Sequence, residues 1–570
     1  MTMPKPVVVG DLLVNAAAAH PNRPALCFVG EEPITYAQFL DQVRQLSGRF
    51  SEMGVEPGDK IAVIGENMPN WGVTYFAAVS MGAVATPILQ EFHESAVHHI
   101  LRHSEARLVV ASKRYLHKVE SESFPCLEGV MRMDDLVMLE RPEAEGGFRE
   151  AVGAACERLG DAARKLMNRE GGDEKAEGPA ADSVAVILYT SGTTGHSKGV
   201  VLTHGALVSN ALAGVAVLPI EKTDRFLSML PLAHTYECTC GLLVPVLSGS
   251  SVHYLQKPPT PKTLLPAMQK VKPTILSMVP LIIEKIYKKR IKPKLSKGGL
   301  FGLLMKVGPI NSLIHQAAGR KLIQSFGGEL RCLCLGGAPL SKEVERFLAD
   351  AQVAYAIGYG LTETAPLVSG AVAKPGKLGH TGPAMPGVSV RIADPDPKTG
   401  EGEILVKGPN VMREYYKAPK DTEATFTDDG WLMTGDLGRL DDEGWLAIRG
   451  RLKNVVIGPS GENIYPEEVE SVLNGCDYVV ESLVYDDGGR LAARIHLDYE
   501  AVDETFKTGN MIESEARGKV SELLESIRLE TNSKVSTFAR LSRVMEQVEP
   551  FEKTPTKKIK RFVYLEGHKP

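Results

Sequence analysis

An excess of charge of either sign is missing from this chain of 570 residues: 65 Lys and Arg stand against 70 Asp and Glu, for a formal net charge of -5. So small a surplus sets up no global field for a polyanion, so no nucleic acid is expected as partner and any basic surface must be local. Cysteine is also scarce. Eight in so long a chain do not make a disulfide scaffold, and the opening residues MTMPKPVVVGDLL break their apolar run at Gly10 and Asp11, so no secretory leader is expected. A reducing, cytoplasmic setting is the expectation. The pairs Cys238/Cys240 and Cys332/Cys334 are spaced more tightly than usual zinc ligands, and residues 330–335 alternate like a half-buried strand. Among His93, His98, His99 and His103, only the last two share a helical face, so an exposed polar face is expected rather than a metal site. Residues 71–89 lack charge, yet Gly72, Thr74, Ser80, Gly82, Thr86 and Pro87 suit a buried helix running into a strand better than a bilayer span.

What the chain does contain is alternation. Strand-like runs at 61–64, 83–88 and 108–111 are interleaved with helical patterns at 70–81 and 95–103, which predicts α/β layering with β-sheets flanked by helices. A single core does not serve 570 residues, so several packed units are expected. Residues 169–182 are Gly-rich and charged and read as a surface insertion. From Lys285 to Lys306 every charged residue is Lys or Arg, interleaved with apolar ones. That pattern suits either a solvated basic face or a peripheral contact with an anionic membrane. After Arg451 the character changes. Runs at 479–485 and 491–497 read as a hairpin, with helical patterns at 467–473 and 512–527, so residues 1–451 are expected to form a large unit and 452–570 a small α+β one.

The chemistry concentrates in a few loops. Residues 189–200, YTSGTTGHSKGV, lie between apolar runs at 184–188 and 200–202. Gly192, Gly195 and Gly199 free the backbone to turn successive N–H groups toward one anion; Thr190, Ser191, Thr193 and Thr194 add hydroxyls, and Lys198 adds a full charge. This is a phosphate loop, but not a Walker A loop, because Gly199 and not Ser or Thr follows Lys198. A second strand-like run leads into Gly336, Gly337, Ala338 and Pro339, small residues that admit a flat ring, with Ser341 placed to cap a helix. The segment AIGYGLTET brings Glu363 beside the phosphates, where a carboxylate makes sense chiefly as a Mg²⁺ ligand. Asp436, in WLMTGD, suits a pair of sugar hydroxyls, and Arg451 supplies a planar donor.

In this order the segments resemble the adenylate-forming superfamily of acyl-CoA synthetases, aryl-CoA ligases, luciferases and nonribosomal adenylation domains, over nearly the whole chain. The resemblance implies a large adenylation domain with a small mobile domain turning about Lys453. It also implies an adenine side at Gly337, Ala338 and Pro339, and an aromatic and Mg²⁺ segment holding Tyr359, Gly360, Thr362 and Glu363. Asp436 and Arg451 would bind the ribose, Lys558 would be the catalytic lysine, and the loop 458–466 would admit the pantetheine arm of CoA past Gly461. TPTKKIKR and PLAHTYE are similar to the long-chain branch, which sets His234 beside the acyl group, with a satisfied structural histidine as the alternative. The implied activity is ATP-dependent conversion of a medium or long fatty acid to its acyl-adenylate and then to acyl-CoA, with ATP, Mg²⁺ and CoA taking part. Alternatives are an acyl-acyl-carrier-protein ligase, an acyl-AMP ligase or, outside the enzymes, a nucleotide-binding membrane adaptor. Ser197 departs from the family's usual proline, and Lys557 from the glycine of many short-chain and aryl ligases.

Overall fold

The computed structural model describes residues 5–120, 124–139, 178–190, 197–295, 308–374, 376–457, 463–554 and 558–565. Two eight-stranded sheets form its centre. One runs in the order Leu367–Val372, Tyr355–Gly360, Cys332–Leu335, Ile275–Met278, Arg225–Ser228, Ser251–Tyr254, Pro24–Phe28, Ile34–Thr35. The other runs Glu414–Tyr415, Lys198–Thr203, Val184–Thr190, Val84–Ile88, Lys60–Ile64, Ala106–Ala111, Gly129–Arg132, Val137–Leu139. In the first, the inner strands are parallel and the two outermost pairs antiparallel; in the second, the strands from Val184–Thr190 to Gly129–Arg132 are parallel, while Lys198–Thr203 pairs antiparallel on both sides and Val137–Leu139 closes the other edge antiparallel.

The helix Pro69–Ser80 shows why residues 71–89 carry no charge. Trp71, Tyr75 and Phe76 are fully buried, with Trp71 stacked on Tyr75 and Phe39 edge-on to Phe76. Each such ring contributes roughly 1.5–3 kcal/mol by leaving water. The helix ends beside Gly82, at φ +84°, and the chain enters the buried strand Val84–Ile88. Among the described residues no helix is long and apolar enough to cross a membrane.

A four-stranded antiparallel sheet, Ser389–Ala393, Gly402–Lys407, Leu432–Leu440 and Leu446–Arg451, follows the two large ones. Beyond it Ile464, Leu473, Val484, Ile495, Ile527 and Leu541 belong to a separate hydrophobic cluster. There the hairpin Val479–Asp486 with Leu491–Leu497 is joined by a parallel third strand, Leu541–Glu546, and packed by the helices Pro466–Gly475 and Glu513–Lys534.

Candidate active site

Parallel strands point their carboxyl ends to one side of a sheet, and the loops that leave there make a crevice. In the first large sheet, Arg225–Ser228 runs into Met229 to His234, Cys332–Leu335 into Gly336 to Ser341, and Tyr355–Gly360 into Leu361 to Pro366. These loops wall a cleft of about 2740 Å³, which Thr190, Ser197 and Lys198 enter from the second sheet and Asp436, Arg451, Lys453 and Lys558 from further along the chain.

Asp436 is 5% exposed and is held from two sides: the Tyr359 hydroxyl donates to Oδ2 at 2.7 Å, and Arg451 Nε lies 2.9 Å from Oδ1. Strand pairing causes the second contact, because Asp436 and Arg451 face each other across adjacent antiparallel strands. Burial pushes the Asp436 carboxyl up and Arg451 opposes it, with a net rise. Burial and the neighbouring Asp436 raise the Tyr359 phenol well above its ordinary value, so it stays a donor.

Glu363 lies in the short turn Thr362–Thr364 and accepts from the Tyr415 hydroxyl at 2.8 Å. Lys198 stands 5.0 Å over the Tyr415 ring and pairs with Asp421 at 2.7 Å. One tyrosine therefore connects the loop lysine to the carboxylate. The Glu363 turn is pinned by two buried asparagines. Asn410 donates to the carbonyls of Thr364 and Leu367 at 3.0 and 2.9 Å, and Asn210 to the same two at 3.3 and 2.9 Å. Gly360 admits the turn, since a Cβ there would overlap the Pro366 carbonyl oxygen.

Lys558 stands open to the water of the cleft while protein surrounds it. That enclosure, and then the Arg451 charge, lower its pKa, against the pull of Asp436 and Glu363. The same ammonium, after burial, helps drive His234 down to about 4, which leaves its imidazole neutral near pH 7. His234 Nδ1 accepts from Tyr236 N–H at 3.2 Å and starts the short helix Thr235–Glu237. The basic tail is anchored: Arg561 donates to both oxygens of Glu470 at 2.5 and 2.6 Å, and Lys553 pairs with Glu481.

The structure thus brings Thr190, Lys198, His234, Gly337, Ala338, Pro339, Tyr359, Gly360, Thr362, Glu363, Asp436, Arg451, Lys453 and Lys558 to one cleft. Thr190 and Lys198 pair across adjacent antiparallel strands. Ser191, Gly192, Thr193, Thr194, Gly195 and Gly461 lie outside the described residues, as do 169–177 and 296–306. One expectation is corrected. His103 is not simply on an exposed polar face: its Nδ1 shares a 2.8 Å hydrogen bond with the hydroxyl of Tyr189, the first residue of the phosphate loop, and burial lowers its pKa. Sequence reasoning also passed over Tyr415, Asp421, Asn210 and Asn410 as site residues. None of the four lies in a segment whose spacing marks it as part of a binding loop.

A lone carboxylate fits Mg²⁺, which keeps much of its water and takes one or two protein carboxylates together with substrate phosphates. Among the described residues no group of three or more His, Cys, Asp or Glu forms an all-protein metal site. Glu363 could thus hold an ion shared with a bound triphosphate.

The chain is similar to known proteins. Residues 13–416 match the family model described as AMP-binding enzyme. The long-chain-fatty-acid–CoA ligase FadD15 of Mycobacterium bovis is 30% identical over 500 residues, 82% of this chain and 78% of that protein. The peroxisomal long chain acyl-CoA synthetase 6 of Arabidopsis thaliana is 29% identical over 570 residues, 93% of this chain and 79% of that one. Among solved structures, the ATP-bound RpMatB-BxBclM chimera B1 superposes with a TM-score of 0.72 at 25% identity, covering 98% of both chains. The anthranilate CoA ligase AuaEII with anthranoyl-AMP shares the fold at a TM-score of 0.73 and 22% identity, over 98% of this chain and 97% of its own. With the family model spanning most of the chain and the cleft built from its loops, this protein belongs to the AMP-binding enzyme family.

Proposed function

We propose that this protein activates a medium- or long-chain fatty acid with ATP and transfers the acyl group to CoA, releasing pyrophosphate and AMP. The observation that carries the reading is the meeting of Lys558 with Glu363, Asp436 and Arg451 in one cleft. The acyl class rests on the two long-chain relatives, each aligned over most of this chain.

In the first half-reaction a carboxylate oxygen of the acid bonds to the α-phosphorus while the bond from that phosphorus to the leaving pyrophosphate breaks. Two anions must approach each other. Lys558 offsets that repulsion at the α-phosphate, and Lys198 leaves Asp421 for the phosphates, so that fixed positive charge meets charge as it develops. Asp436 accepts from the ribose hydroxyls, with Arg451 holding its carboxylate in place. Mg²⁺ on Glu363 would neutralise phosphate charge when bound.

In the second half-reaction the thiol sulfur of CoA bonds to the acyl carbonyl carbon, the bond to the AMP oxygen breaks, and the thiol proton is released. For this the unit 452–570 turns about Lys453, withdraws Lys558 and presents the loop around Gly461. His234 borders the acyl group as a neutral imidazole. The exposed Arg290 and Lys294 offer cations for contact with an anionic lipid surface, from which such an acid could be drawn.

The test is pyrophosphate release across fatty acids of graded length, with CoA and with acyl carrier protein as acceptor, for the parent and Lys558→Ala. The parent is expected to turn over C8 to C18 acids with CoA, and the variant to lose adenylate formation while still making thioester from supplied acyl-adenylate. No release with any acid would refute the function, and equal loss of both half-reactions would refute the role of Lys558.

A further inference from the structure

The basic stretch singled out in the sequence has an orientation that the reaction above does not use. Its described part, as far as Leu295, lies in the helix Pro280–Ile286, the wider π-turn Tyr287–Ile291 and the helix Lys292–Leu295. Glu284, Lys288 and Lys292, spaced by four, connect this segment to different neighbours. Glu284 Oε1 accepts from the backbone N–H of Ser341 at 2.8 Å, where the adenine-side loop ends and the helix Lys342–Asp350 begins.

Lys288 reaches beyond residue 451. Its ammonium donates to the backbone carbonyls of Asn474, of Cys476 at 2.8 Å and of Val479 at 3.3 Å. Lys292 donates to the carbonyl of Gly475 at 3.4 Å and lies 3.4 Å from Glu343 and 3.9 Å from Asp477. Lys289 lies 3.3 Å from Asp498. These carbonyls surround the carboxyl end of the helix Pro466–Gly475, where unpaired carbonyls and the negative pole of the helix favour a cation. An ammonium has three hydrogens, and Lys288 spends them on three carbonyls. It is half-buried there, and burial lowers its pKa.

The helix that Lys288 grips also carries Glu470, the residue that holds Arg561, three positions after Lys558. A continuous set of contacts therefore runs from Ser341 through Glu284 and Lys288 to the helix Pro466–Gly475, and through Glu470 and Arg561 to the catalytic lysine. We infer that Lys288 is a positioning residue for adenylate formation, holding the C-terminal unit in the orientation that keeps Lys558 in the nucleotide cleft. The inference rests on the two-step reaction proposed above. Turning the C-terminal unit would break the Lys288 contacts together, so the contacts favour the first step over the second.

The test uses full-length Lys288→Met, which keeps the length of the side chain and removes its charge. Pyrophosphate exchange should fall roughly tenfold, the loss expected when a charged donor leaves carbonyls behind. Thioester formation from supplied acyl-adenylate should be unchanged or faster, and tryptic cleavage at Arg451 and Lys453, measured without substrates, should speed up. Exposed Lys321→Met should leave all three unchanged. Equal loss of both half-reactions, or no change in either, would overturn the inference. If Lys288→Met does not fold, Lys292→Met decides by the same ratio, with roughly a threefold loss of exchange expected. A parent protein that exchanges no pyrophosphate would sink the proposed reaction alone, because hinge cleavage still tests whether Lys288 holds the two units together.

Discussion

Replacing Glu237 by glutamine removes a carboxyl that is 1% exposed, accepts from the Ser228 hydroxyl at 2.6 Å through Oε1, and has no hydrogen-bond partner at Oε2. Burial pushes its pKa from 4.5 to about 8, while the hydrogen bonds from Ser228 and the Met229 N–H pull the other way. The folded state therefore binds the proton more tightly than the unfolded chain. Its stabilising contribution is complete below pH 4.5 and is lost as pH rises toward 8. With these two values the loss between pH 5 and pH 8 is about 3.5 kcal/mol. Glutamine fills the same space, can still accept from Ser228 and does not ionise, so its stability relative to the parent should climb by that amount over the same range. His204 and His253, each lowered to about 4 by burial, lose stability in the opposite direction, as pH falls from 6.5 toward 4. They titrate alike in both proteins and cancel in the difference. The assay is denaturant unfolding of parent and variant at pH 5, 6, 7 and 8, compared on the same transition, because a chain with several cores does not unfold in one step. Stability curves that stay parallel within about 0.5 kcal/mol would refute the buried-acid reading.

Asp421→Asn releases Lys198 from an ion pair whose members are 35% and 50% exposed, and such pairs are worth no more than about 1 kcal/mol. The KM for ATP should fall by about twofold to fivefold with kcat little changed, in pyrophosphate release at varied ATP; a higher KM would mean that Asp421 helps to orient the lysine for its ligand. Gly360→Ala sets a Cβ against the Pro366 carbonyl oxygen and must move the turn that carries Glu363. Activity should drop by about 100-fold and stability by about 1–3 kcal/mol, read by pyrophosphate exchange and thermal melting, and an alanine variant at the parent's rate would refute the account of that turn.

Much of the site could be read in the chain because its residues lie in short segments whose spacing is local. Glu363 follows Tyr359 by four positions, and Asp436 and Arg451 end up opposite each other in one hairpin. The alternation of apolar runs and helical patterns also foretold α/β layering with β-sheets flanked by helices, though not how many sheets. What escaped depends on contacts between distant segments. Asn210 and Asn410 are ordinary polar residues in sequence, and only the fold sets both amides on the same two carbonyls. Tyr415 becomes a link because its short strand pairs with Lys198–Thr203. The basic stretch was ambiguous for the same reason: a row of lysines has the same pattern facing lipid, water or the end of a helix, and for Lys288 and Lys292 the choice is made by a helix nearly 200 positions away in the chain.

The pairing of Asp436 with Arg451 also bears on how sequences of this family can drift. The two residues sit opposite each other on strands joined by the turn around Gly444, and the ladder already absorbs one extra residue, Arg449, where Leu437 faces Gly450 and Gly438 faces Ile448. Inserting residues at the turn lengthens a loop and leaves the pair intact. A single further residue inserted between Gly450 and Arg451 would swing the guanidinium to the other face of the sheet. Length variation among relatives is therefore expected to collect at the turn and to be absent from the strand that ends at Arg451.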